Sequence, residues 1–261
     1  MLKLMKYEFR KLRTPLLVMV LILAGLEIGF LAGYKLEKAV LTAISVTLLT
    51  TLVFVSYAFL LIAGIVSYSK ELTDKSGYLA FMVPVRPISI VLSKLLFTAL
   101  AAIAATALFA VAAWADIGIL LDRFNIGPAL VEQANALLRL ALKGALPSVQ
   151  QTGQFILYIA GTVFIEFLLA ICSAYLAITL SATLLQNRKG FLRAMISLLL
   201  FVALNWGASW LADKLFYQHA SVASSVNALL SSLGGSLLMN LALCAVFTTL
   251  AAWLLDRKVN L

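Results

Sequence analysis

Histidine, cysteine and proline are scarce in this chain, and each scarcity closes off a class of function. His219 is the one histidine in 261 residues. It has no cysteine or carboxylate close by in sequence and reads as a solvated loop residue. A serine protease working at membrane depth needs a base beside its nucleophile, and no histidine lies in an apolar run to supply it. Cys172 and Cys244 are the two cysteines. They show no metal-ligand spacing, and both fall in apolar runs, where they read as small packing residues. No Glu-Glu pair exists for a metal-dependent membrane protease, and the apolar runs hold no aspartate pair. The five prolines (Pro15, Pro84, Pro87, Pro128 and Pro147) all avoid the middle of an apolar run. That argues against the paired broken helices from which secondary carriers build their sites. No Gly-Lys dipeptide occurs anywhere, so a Walker phosphate loop cannot form and the chain does not hydrolyse ATP by itself.

Charge is also sparse. Charged residues make up 12% of the chain and hydrophobic residues 63%, well outside the range of soluble domains. About 20 apolar residues cross a bilayer. Six runs meet that length: Pro15–Tyr34, Ala39–Tyr68, Ile90–Leu121, Gly153–Leu185, Leu192–Asp213 and Gly234–Leu255. The fold class expected is therefore an all-α integral membrane protein, one transmembrane domain over residues 1–261 with no nucleotide-binding domain. The first run ends without a small-residue cleavage site and is followed by five more, which speaks against a removable signal peptide.

The net charge of +9 is a matter of topology. Lys3, Lys6, Arg10, Lys11 and Arg13 share one side of the expected membrane with Lys70, Lys75, Arg86 and Lys94. Arg188, Lys189, Arg193, Arg257 and Lys258 join them there. Only Lys35, Lys38, Arg123, Arg139, Lys143 and Lys214 fall on the other side. Basic residues accumulate in cytoplasmic loops, so both termini are expected in the cytoplasm. A nucleic-acid partner is not implied.

Residues 1–14 form a basic amphipathic segment. Leu2, Met5, Phe9 and Leu12 share a face beside Lys3, Lys6, Arg10 and Arg13, a pattern suited to a helix lying in the bilayer interface. Thr14-Pro15 fits a break before the first span, giving an elbow. A plain orientation signal is the alternative.

Within that span, Gly25, Gly29 and Gly33 repeat at the spacing that lets another helix approach closely. Glu27 points away from them, roughly 200° around the helix from its neighbouring glycines, which suggests a span central in the bundle; partial snorkelling toward the nearby outer end is the alternative. The alanine-rich third span suits tight packing. Residues 122–152 form the one long external segment, where Leu130, Ala134, Leu137, Leu138, Ala141 and Leu142 share the face of an expected amphipathic helix. Glu166 lies deepest of the charges, and an intramembrane carboxylate is either a functional group or a helix-locking one. With Thr50, Ser56, Asn205 and Glu27 it makes up the polar set available to a translocation path.

The most informative stretch is Ser69–Lys94, SKELTDKSGYLAFMVPVRPISIVLSK. Four residues would suffice for a turn. Here a charged cluster, Gly77, an apolar patch and two prolines make a platform between two spans. This run, the basic amphipathic start, the six spans and the closing DRKVNL together resemble the membrane subunit of type-2 ABC exporters, the fold shared with the ABCA and ABCG transporters. The resemblance covers nearly the whole chain and is most specific in the connector, residues 69–93. It implies a short coupling helix, with Lys70, Glu71, Leu72, Thr73, Asp74, Lys75 and Gly77 docking on a separate cytoplasmic ATPase subunit. It also implies a second permease copy (a homodimer or a related permease) in a bacterial-type cytoplasmic membrane. ATP and Mg would then be bound by the ATPase and no cofactor by this chain. With so small an external segment and so apolar an interior, the expected cargo is an amphipathic or hydrophobic molecule such as an antimicrobial or toxin peptide, or a lipophilic drug. A proton-coupled carrier using Glu27 or Glu166, and a non-transporting anchor or sensor, are the alternatives.

Overall fold

The computed structural model describes residues 2–73, 87–124, 149–185, 191–217 and 226–257. Among them lie six long helices and no strand. They are α1 (Leu2–Lys35), α2 (Ala39–Thr73), α3 (Pro87–Phe124), α4 (Val149–Leu184), α5 (Phe191–Ala212) and α6 (Val226–Arg257). A π-helical turn, Asp213–Tyr217, extends α5. All six helices are long and apolar enough to cross a membrane, so the chain is a multi-pass membrane protein. Each covers one of the six apolar runs to within a residue, and α1, α2, α4 and α6 extend a turn or more beyond the run at one end. The amphipathic helix expected within residues 122–152, and His219, lie outside the described residues.

Two expectations are corrected. The elbow does not separate from the first span: α1 runs unbroken from Leu2 to Lys35 with Pro15 inside it. Proline removes one backbone hydrogen bond in a helix interior, and here contacts made by the first turns outweigh that loss, as described below. Nor is α1 the centre of the bundle. That place belongs to α4, whose span is 56% buried, against 17% for α1. α4 packs most extensively on α6, then on α5 and α2, whereas α1 packs on α2 and α3. The face α4 presents inward explains its position. Ile171, Cys172, Ser173, Tyr175, Thr179 and Ser181 are all but inaccessible. Their hydroxyls cause no polar orphan, because Ser173, Thr179 and Ser181 bond carbonyls of their own helix at 2.8–3.0 Å. Such back-bonding lets small polar residues sit in an apolar interface.

Two apolar clusters hold the bundle. One joins Tyr68 and Leu72 of α2, Val91 of α3, Ile171, Tyr175 and Ile178 of α4, and Leu255 of α6. The other joins Leu169, Cys172 and Leu176 of α4 to Ala208 of α5 and to Phe247, Ala251 and Leu254 of α6, with Cys244 packed against it. Both cysteines therefore serve as packing residues.

α1 and α2 form a tight hairpin. Glu37 adopts a left-handed conformation with φ 55°. Lys38 N donates to Gly33 O at 3.1 Å and Glu37 N to Tyr34 O at 3.3 Å, the paired bonds that close a helix C-terminus. The glycine repeat contributes to this hairpin in part. A Cβ on Gly33 would stand 2.9 Å from both the backbone N and the Oγ1 of Thr42, and one on Gly29 would stand 3.3 Å from Ser45 Oγ. Gly25 has nothing within 4 Å, so close approach of α2 uses two of the three glycines.

Candidate functional site

The residues expected to dock a partner fall at the end of α2. Lys70 and Leu72 lie in its last turn; Lys70 is exposed and Leu72 is buried. The backbone of Glu71 and Thr73 continues the helix. Asp74, Lys75 and Gly77 lie outside the described residues, as does the rest of the platform through Arg86. The structure thus describes the helical stem, residues 67–73 of α2, that leads into the expected platform.

That stem is gripped by a polar junction that joins three helices. Glu8 of α1, Ser67 of α2 and Lys94 of α3 are each about 5% exposed or less. Lys94 Nζ donates to Glu8 Oε1 at 2.5 Å and to Ser67 Oγ at 3.0 Å. Ser67 Oγ donates in turn to Glu8 Oε2 at 3.0 Å, and Lys11 Nζ reaches the same hydroxyl at 3.1 Å. A hydroxyl has one donor and two acceptor sites, so Ser67 is fully used. A buried charge is tolerated only when paired and hydrogen-bonded; Glu8 and Lys94 meet both conditions. This junction also explains why α1 stays continuous past Pro15. Releasing its first turns would leave Lys94 buried without its counter-ion.

Directly beyond the junction, Tyr68 stacks on Tyr175 with ring centroids 4.2 Å apart and an interplanar angle of 25°. Tyr175 Oη donates to Gly64 O at 3.4 Å. The stem is therefore fixed to α1 and α3 by charge and to the central helix α4 by aromatic packing. Sequence reading overlooked this site. Glu8 and Lys94 are isolated opposite charges at the same end of two different helices, a pattern visible in the sequence, but their partnership depends on which helices are neighbours.

The elbow residues Lys6, Phe9, Arg10 and Arg13 are exposed along the first turns of α1. Lys3 lies on the same helix.

The polar set offered for a translocation path is not brought together. Ser56 is buried and bonds Leu52 O at 2.7 Å. Thr50 is exposed and bonds Val46 O at 2.9 Å. Asn205 of α5 donates to Ser173 Oγ of α4 at 2.8 Å and to Phe201 O at 2.9 Å, and so acts as an interhelical strut. Glu166 stands exposed on the outer surface of α4. Glu27 has a neighbour that sequence reading did not find, Asp116 of α3, and one oxygen of its carboxyl is buried without a hydrogen-bond partner among the described residues. Glu27 and Asp116 each lie about two turns before the end of their own helix, which puts them at one depth. No group of three metal-ligating side chains occurs among the described residues.

No protein-family profile, curated protein or solved structure matches this chain.

Proposed function

We propose that this chain is the permease subunit of an ATP-driven exporter of the type-2 ABC class, with both termini and the Ser69–Lys94 platform in the cytoplasm and a separate ATPase docked on Lys70–Gly77. The observation that carries this reading is the tethering of the stem. α2 continues as helix through Thr73, and its last turns are bonded to α1 and α3 through Ser67 and packed on α4 through Tyr68 and Leu72. A platform on such a stem can pass displacement by a docked motor into three helices at once. Buried, fully satisfied polar networks are rigid and have few alternative arrangements, which suits transmission.

A second permease copy belongs to the same proposal. Glu166 sits near the middle of α4 and is exposed, and an acidic side chain facing lipid at mid-helix costs about 2.5–3.5 kcal/mol. A neighbouring copy would cover it. The scattered polar set agrees: a path between two copies needs no wet interior in either one. The expected cargo is amphipathic or hydrophobic, such as an antimicrobial or toxin peptide or a lipophilic drug, and the expected setting is a bacterial-type cytoplasmic membrane.

Co-purification with the ATPase tests this. Glu71→Lys combined with Asp74→Lys is expected to release the ATPase while the permease still inserts and elutes as a single species. An intact complex with normal stimulation of ATP hydrolysis would rule out docking at this site. A proton-coupled carrier is the second reading, favoured by the Glu27–Asp116 carboxyl pair. Nucleotide-free transport by the pure chain in liposomes under a proton gradient, abolished by Glu27→Gln, would select it.

A further inference from the structure

An apolar groove of about 520 Å³ runs between α1 and α3. Its wall on α1 extends from Met5 to Leu23, and its wall on α3 from Phe97 to Phe109. Three of the α3 alanines read from sequence as tight-packing residues, Ala101, Ala104 and Ala105, line it, whereas Ala102 is fully buried. Among the described residues one charged side chain lines it, the exposed Lys6, one turn from Arg10 and at the end of α1 that carries the polar junction. The α3 wall measures roughly 18 Å at 1.5 Å per residue. A single bilayer leaflet contributes about 15 Å, half of the ~30 Å hydrocarbon core.

We infer that this groove is a binding site for an anionic phospholipid of the leaflet in which Lys6 lies, with an acyl chain along Ala101 and Ala104 and the headgroup phosphate at Lys6. Three features identify the occupant. An apolar groove does not hold water, so in a bilayer hydrocarbon fills it. Its walls, roughly 18 Å on α3 and roughly 27 Å on α1 at 1.5 Å per residue, are each at least as long as one leaflet is deep, so a lipid tail anchored at Lys6 lies within the groove over its whole length. Its end nearest the start of α1 carries Lys6, with Arg10 and Arg13 on the following turns of the same helix, a basic surface that complements a phosphate. A second copy of this chain fits less well, because two-fold pairing across the groove would set the same basic surface against itself. The site is independent of whether an ATPase docks on the platform.

The test uses the full chain reconstituted in vesicles of equal parts phosphatidylglycerol and phosphatidylcholine, extracted into detergent, with retained lipids identified by native mass spectrometry. One phosphatidylglycerol per chain is expected to survive detergent exchange. Ala101→Phe with Ala104→Phe fills the groove and should abolish retention, whereas Ala107→Phe, on the same helix outside the groove, should not. Lys6→Gln changes an exposed side chain and leaves the fold alone. It should keep a lipid but lower the preference for phosphatidylglycerol about five-fold, the effect of one basic side chain near an anionic surface. Unchanged headgroup preference in Lys6→Gln overturns the inference, even if the filled variant fails to fold. So does unchanged retention in a folded filled variant. A lipid-free dimer that the filling substitutions dissociate would also overturn it, giving the groove to a second copy.

Discussion

Lys94 and Glu8 form a buried ion pair at 2.5 Å across two helices that are separated in the chain by the whole of α2. Removing one partner leaves the other charge buried without its counter-ion, so Glu8→Ala and Lys94→Ala should each destabilise the protein by about 3–5 kcal/mol. Glu8→Leu with Lys94→Met should recover most of that loss. Thermal unfolding in detergent, followed by near-ultraviolet circular dichroism, measures both effects. A loss in the double variant as large as the sum of the two single losses would mean that the pair is not coupled.

The double variant separates stability from function. If the junction transmits motion between platform and bundle, Glu8→Leu with Lys94→Met should bind the ATPase normally yet lower cargo-stimulated ATP hydrolysis. Full stimulation in that variant would leave the junction a purely structural role.

Gly33 and Gly25 should respond differently to the same substitution. Gly33→Ala forces a Cβ to within 2.9 Å of the α2 backbone at Thr42 and should cost about 1–3 kcal/mol, as overpacking does. Gly25→Ala meets open space and should be neutral or stabilise by up to about 1 kcal/mol, because alanine loses less backbone freedom than glycine in a helix. Comparable melting temperatures for the two variants would contradict the close approach at Gly33.

Tyr175 is expected to act through its ring. Tyr175→Phe keeps the stack on Tyr68 and gives up one long hydrogen bond to Gly64 O, at a cost of about 1 kcal/mol. Tyr175→Ala removes a fully buried aromatic side chain and should cost about 3–5 kcal/mol. A phenylalanine variant as unstable as the alanine one would place the stabilisation in the hydroxyl.

Asn205 and Ser173 should couple in a double-mutant cycle. Their 2.8 Å bond joins α5 to α4, and interhelical bonds of this kind in membrane bundles average about 0.6 kcal/mol, with a maximum near 1.7. Asn205→Ala is expected to lower the melting temperature slightly and to leave cargo selectivity unchanged. Altered selectivity would return Asn205 to the translocation path.

The order and length of the apolar runs fixed six membrane-crossing helices, because a span is a local property: about 20 residues must satisfy every backbone group within themselves where no water is present. The expected role of the cysteines followed from their apolar surroundings in the same way. Neighbour relations were not local, and the tertiary structure decided them. Pro15 reads as a break from sequence, yet α1 passes through it, since Glu8 is needed beside Lys94. The glycine repeat suggested that the first span was central, whereas α4 is, because small residues and self-bonded hydroxyls let four helices crowd against it. Alanines in α3 suggested close packing, which Ala102 bears out by its complete burial, whereas Ala101, Ala104 and Ala105 line a groove, as a short side chain closes a gap only where the facing helix comes near enough. Glu27 found Asp116 by shared depth on adjacent helices, which no spacing within either run encodes.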